Sequence, residues 1–347
     1  MAKWADRERR LSSEASAAAG RWVTSRAEYQ RGIMDAISDP RLRDIVVMAG
    51  AQVGKTEMLL NVIGFHIHHD PSPILLVQPT LEMAQAFSKD RLAPMLRDTP
   101  ALKGSVKDPR SRDANNTTTH KVFTEGHISL VGSNSAAGLA SRPIRVVLCD
   151  EVDRYPPSAG TEGSPILLAR KRSATFHNRK MVMVSTPTNK GASMIESQYE
   201  ESDKRQYFVP CEDCGTVQTL KWANVKWDKD KPETAYYACD SCGSVWDDAK
   251  RNRSVRKGEW VATADFTGVA GFHINGLYSP WTTLADAVRD FLIAKKAPDT
   301  LRVFVNTFLA ETWEDQGETV GDIRFEDREE DFGTSIPDDI VVITAGI

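Results

Sequence analysis

No apolar run in the chain approaches the roughly 18–20 residues that a membrane span requires, which argues against insertion into a bilayer. The opening stretch, MAKWADRERRLSSEASAAAG, has charges but no apolar centre, so it does not read as a secretory signal. A reducing cytoplasm is therefore predicted, in which the five cysteines would not pair as disulfides. Charge of one sign is lacking too. The 44 Lys and Arg against 48 Asp and Glu leave a net −4, which argues against a protein that coats nucleic acid by bulk electrostatics. Two basic runs, Ala169–Ser173 and Lys250–Arg253, read either as local phosphate contacts or as solvated faces. Internal repeats and low-complexity segments are absent as well. What remains is a 347-residue globular composition, 41% hydrophobic and 27% charged, long enough for one large core with an insertion.

The most informative stretch is Ala49-Gly-Ala-Gln-Val-Gly-Lys-Thr56. It follows a β-branched apolar run, Asp44–Met48, and precedes an apolar-periodic stretch from Glu57 to His69, so it reads as strand, loop and helix. Such a loop wraps backbone N–H groups around phosphates at a helix N-terminus. Gly50, Gln52, Val53, Gly54 and Glu57 belong to this nucleotide-contacting set, Lys55 supplies a point charge, and Thr56 offers a hydroxyl to Mg²⁺. Ala49 stands where the usual pattern has Gly. A second apolar strand, Arg145–Cys149, ends in Asp150 and Glu151, which suit a Mg²⁺ ligand and a general base. A third, Lys180–Val184, ends in Ser185, Thr186 and Asn189, candidates for sensing the γ-phosphate, or else an ordinary turn. Gln30 precedes the first strand at a distance suited to reading adenine, although a surface Gln fits equally. Gln78-Pro79-Thr80 closes another strand and is a candidate nucleic-acid-facing loop.

Four cysteines form Cys211-x-x-Cys214 and Cys239-x-x-Cys242, with 24 residues between the pairs. This is zinc-ribbon spacing, with Gly215 and Gly243 available for the tight turns, and it predicts a structural Zn²⁺ held by four thiolates. Trp222, Trp227, Tyr236 and Tyr237 between the knuckles read as packing around the metal in preference to base stacking. Cys149, inside an apolar strand, reads as core.

Together these motifs, in this order and with the run Asp150-Glu-Val-Asp-Arg-Tyr-Pro156, resemble the lambda-like large terminase subunits that package phage DNA. The resemblance runs from about Tyr29 to the C-terminus and takes in Gly276–Trp281 and Phe304–Leu309. It implies an α/β fold: a RecA-like P-loop ATPase of the additional-strand, catalytic-glutamate type with a mostly parallel central sheet and an inserted zinc-ribbon-like subdomain. The expected layout is an N-terminal helical segment carrying the adenine-side Gln (1–40), the ATPase core (41–205), the ribbon (206–260), the rest of the ATPase domain with a linker (261–335) and the start of a nuclease domain (336–347). Asp339–Ile347 looks like the first nuclease strand, ending ahead of its metal-binding Asp. A chain truncated before the nuclease domain, hydrolysing ATP without cutting DNA, is therefore expected.

The resemblance further implies double-stranded DNA, a small terminase subunit and a procapsid portal as partners, a homo-oligomeric ring, and the cytoplasm of an infected host. The loop holds no arginine, so one supplied in trans is expected, with Arg142 and Arg172 as candidates. Two other readings stay open on the residues alone. One is a superfamily 1 or 2 helicase-like translocase, which needs a second RecA-like domain; the other is a non-enzymatic zinc-ribbon adaptor on nucleic acid.

Overall fold

The computed structural model describes residues 1–14, 19–106, 116–140 and 142–314. In chain order the strands are β1 (Arg10–Leu11), β2 (Gly20–Arg21), β3 (Asp44–Ala49), β4 (Ile74–Gln78), β5 (His120–Phe123), β6 (Gly126–Gly132), β7 (Val146–Asp150), β8 (Lys180–Ser185), β9 (Arg205–Pro210), β10 (Val217–Gln218), β11 (Val225–Asp228), β12 (Lys231–Ala238), β13 (Val245–Trp246), β14 (Glu259–Val261) and β15 (Val269–Ile274). One ten-stranded sheet runs β10-β9-β15-β3-β8-β7-β4-β6-β5, with β14 also on β9. Its centre, from β9 to β6, is parallel, and β5, β10 and β14 join antiparallel. β8 lies between the P-loop strand β3 and the carboxylate strand β7, the extra strand that the sequence led us to expect.

Alternation along the strands builds two cores. Ile45 and Val47 of β3, Leu76 of β4 and Leu148 of β7 face one layer, while Val46, Leu75 and Val147 face the other. Strands covered on both faces read as unbroken apolar runs, which is why β3, β7 and β8 were so plain in the sequence. Leu148 has no exposed surface, and truncating such a side chain to Ala costs about 2–5 kcal/mol. Helix Lys55–His68 is buried along most of its length, and Gly64 lets Trp4 lie against it.

Met1–Trp313 form one compact unit, and the described residues contain one large sheet and no second RecA-like one, against the helicase reading. The expected insertion at 206–260 is corrected at both ends, because β9 and β14 pair in the large sheet. Between them, β10 also pairs with β9; β11, β12 and β13 form a separate three-stranded sheet, and Asp248–Arg256 is helical. Residues 315–347, including the expected nuclease strand, lie outside the described residues. No helix among the described residues is long and apolar enough to cross a membrane.

Candidate functional site

The parallel strands β3, β8 and β7 all end on one side of the sheet, and the predicted residues gather there. Gly54 caps helix Lys55–His68 in the left-handed region (φ 86°), and Gln52 is left-handed too (φ 58°). These turns aim the first helical N–H groups, which have no intrahelical acceptor, into one concavity. Lys55 Nζ lies 3.3 Å from Ala49 O and 3.3 Å from Glu151 Oε1. Burial lowers the ammonium's proton affinity, and Glu151 and Asp150 oppose that shift. Thr56 is half-buried at the second helical position.

Asp150 is buried at the end of β7 with Gln78 Nε2 donating to its Oδ2 at 2.9 Å. Burial, reinforced by the Glu151 charge, pushes its carboxyl up to about 6. A buried carboxylate destabilised in this way is suited to receive a cation. Glu151 follows in the left-handed region (φ 55°), unusual for a residue with a side chain and a mark of local strain at a site. Its N–H bonds Val184 O at 2.7 Å, Thr186 Oγ1 donates to its Oε2 at 3.2 Å, and Arg154 Nε stands 3.9 Å from Oε2. Lys55, Asp150, Glu151 and Thr186 are thus brought together.

Other expected residues sit elsewhere. Gln30 is buried against the loop, its Nε2 donating to Val53 O at 3.0 Å beside Tyr29 Oη, so this half of its amide supports the loop. Glu57 points away to Arg9 Nη2 at 2.9 Å. Ser185 Oγ accepts from Asp153 N and donates to Thr186 O, bracing the turn after Glu151 without reaching the nucleotide side. Gln78, expected to face nucleic acid, contacts Asp150 instead. Asn189 bridges to Trp313.

Both candidate arginines lie toward the opposite edge. Ile144 N bonds Arg172 O just before β7 begins, five strand positions from Asp150, and Arg142 is exposed, with Nη1 donating to His120 Nε2 at 2.9 Å. Neither reaches the P-loop of its own chain. Arg154 was missed, although its place three residues after Glu151 on a short 3₁₀ turn was a usable signal.

The loop is also held from beyond the cysteine knuckles. Gly50 N bonds Ile274 O at 2.9 Å, Ala51 N bonds Thr307 O at 2.6 Å, and Ser279 Oγ donates to Gln52 O at 3.2 Å. Asn306 Nδ2, one residue before Thr307, donates to Thr188 O at 2.6 Å.

At the far flank the four thiols converge, with all Sγ atoms within 4.8 Å of one another. Each knuckle closes a hairpin: Cys211 and Cys214 link β9 to β10, and Cys239 and Cys242 link β12 to β13. Both repeat the same bonds, Gly215 N to Cys211 O and Gly243 N to Cys239 O, with the glycines at φ 75° and 70°. A tetrahedron with Zn–S bonds of ~2.3 Å has S···S edges of ~3.8 Å. The Cys211–Cys242 and Cys214–Cys239 separations are 3.9 Å, so the donor set fits. Trp222 packs on Trp227 and on Phe291 and Phe304 of the helices that follow β15, not around the thiols, whereas Tyr237 packs on Trp246. Cys149 is core, its thiol pushed up to about 12 by burial.

With this geometry in place, comparison with known proteins is decisive. Residues 16–260 match the model of the phage terminase large subunit gpA, ATPase domain. The chain belongs to this terminase family. Terminase large subunits of Enterobacteria phage P21 and Escherichia phage lambda are 34% and 30% identical over 99% of the chain, which spans 58% of the length of each. The ATPase domain of the Thermus phage P74-26 large terminase superposes with a TM-score of 0.47 at 15% identity, covering 80% of this chain and 92% of that one. The large terminase of bacteriophage D6E in complex with ADP gives 0.35 at 15%, covering 47% and 39%. Residues 269–347 match the terminase gpA endonuclease domain. The expectations of a chain cut before that domain, and of nuclease sequence starting only at 336, are thereby corrected. The match begins at β15, which is nonetheless an inner strand of the ATPase sheet.

Proposed function

We propose that this terminase chain hydrolyses ATP to drive double-stranded DNA into a procapsid. The observation that carries the reading is the convergence of Lys55, Asp150, Glu151 and Thr186 at the ends of neighbouring parallel strands. Bound Mg²⁺ would supply charge neutralisation of the phosphates, with Asp150 and Thr56 as its holders. The loop N–H groups and Lys55 bind and orient the triphosphate, and Glu151 takes the proton of the attacking water. While Lys55 is paired with Glu151 that base is occupied; a γ-phosphate competing for Lys55 frees it. Thr186, bonded to the same carboxylate, is placed to register the change.

Arg142, exposed and remote from its own P-loop, suits a role in trans better than half-buried Arg172, so a homo-oligomeric ring on the portal completes the site. The small terminase subunit and the host cytoplasm follow from the same reading. ATP turnover measured with and without double-stranded DNA over a range of protein concentrations tests it. Stimulation by DNA and a steep rise with concentration are expected; turnover indifferent to both would overturn the motor reading. The cysteine cluster holds structural Zn²⁺ in this proposal. Metal analysis should find one equivalent per chain, and chelation should lower the thermal midpoint.

A further inference from the structure

The known contacts fix the direction in which a nucleotide must lie. Lys55, Asp150 and Glu151 place the γ-phosphate end on the β8 and β7 side of β3. The α-phosphate, ribose and base therefore extend toward the other neighbour of β3, which is β15. The segment after β15 carries Trp281, whose indole is 52% exposed, whereas Trp4 and Trp246 are buried. A Cβ placed on Gly54 would collide with Gln30 Nε2 and stand 3.7 Å from Trp281 Cη2. The indole thus lies against the P-loop, on the segment that follows β15.

The loop bearing it is fixed in place. Arg251, a buried residue of helix Asp248–Arg256, donates to Thr282 O at 2.8 Å and Ser279 O at 3.3 Å, one carbonyl on each side of Trp281. Ser279 Oγ in turn holds Gln52 O. An aromatic face presented to solvent on a segment pinned by a buried guanidinium is a pre-organised surface for a flat partner.

We propose that Trp281 is the platform on which the nucleobase of the bound nucleoside triphosphate stacks, a specificity-determining contact. This rests on the ATP site proposed above. Calorimetric Kd values for ATP·Mg²⁺ and for inorganic tripolyphosphate, on the full chain and its Trp281→Ala and Trp281→Phe variants, test it. Loss of the stack should weaken ATP about tenfold or more in Trp281→Ala. Tripolyphosphate binding should be unchanged, and Trp281→Phe should recover most of the ATP affinity. Equal affinity for ATP in all three proteins, or equal weakening of both ligands, overturns the stacking contact while leaving the ATP site intact. A wild-type chain that binds neither ligand overturns both.

Discussion

The two edges of the central sheet treat charge in opposite ways. Where the strands begin, charges are largely matched within the protein, Lys180, which has only carbonyl partners, being the exception. Arg145 grips both oxygens of Asp70 at 2.8 and 2.6 Å, Arg170 meets Asp44 at 2.6 Å, and Lys180 Nζ donates to the carbonyls of Asp39 and Leu42. Where the strands end, Asp150 has one neutral donor and is pushed toward protonation, and Lys55 and Glu151 share a loose pair at 3.3 Å. One scaffold thus has a saturated edge and an unsaturated one. The unsaturated edge is what a multiply charged ligand can use, because binding supplies what the fold withholds.

This contrast can be broken at either edge. The largest effect is expected at the unsaturated one: Glu151→Gln should lower ATP turnover by ~100-fold or more while ATP binding persists. Retained turnover would remove Glu151 from the general-base role. At the saturated edge, Arg145→Ala leaves Asp70 with only its longer His66 contact and should cost about 2–3 kcal/mol in chemical denaturation, with no change in ATP affinity. A shift in ATP affinity would show that the edges are not independent.

The smallest effect is a pH slope. Burial lowers Lys180 to about 8, against ~10.4 in the unfolded chain. Between those values the unfolded state binds more protons, so the lysine's contribution makes stability rise with pH through this window, by on the order of 2 kcal/mol. Lys180→Met should flatten the rise; an identical slope in both proteins would show that the lysine is not strained.

What could be read in the sequence was whatever is local. A phosphate cradle needs contiguous backbone, a carboxylate pair needs one strand end, and a knuckle needs two cysteines three apart, so Lys55, Asp150, Glu151 and the four thiols stood out. Pairings across hundreds of positions did not. β15 joins β3 from beyond the cysteine knuckles, and no local signal says so. Gln30 has the composition of a base reader, but its burial under Val53 comes from tertiary packing. Trp281 entered only as the end of a stretch covered by the family resemblance, and its place beside Gly54 comes from tertiary packing.

Consecutive residues Asn306 and Thr307 are bonded to different loops, Asn306 to Thr188 beyond β8 and Thr307 to Ala51 of the P-loop. They lie in one π-helical turn, Val305–Leu309. That turn is a two-point gauge: any change in the gap between the two loops during a catalytic cycle has to be absorbed by breaking one of these bonds or by rewinding the turn.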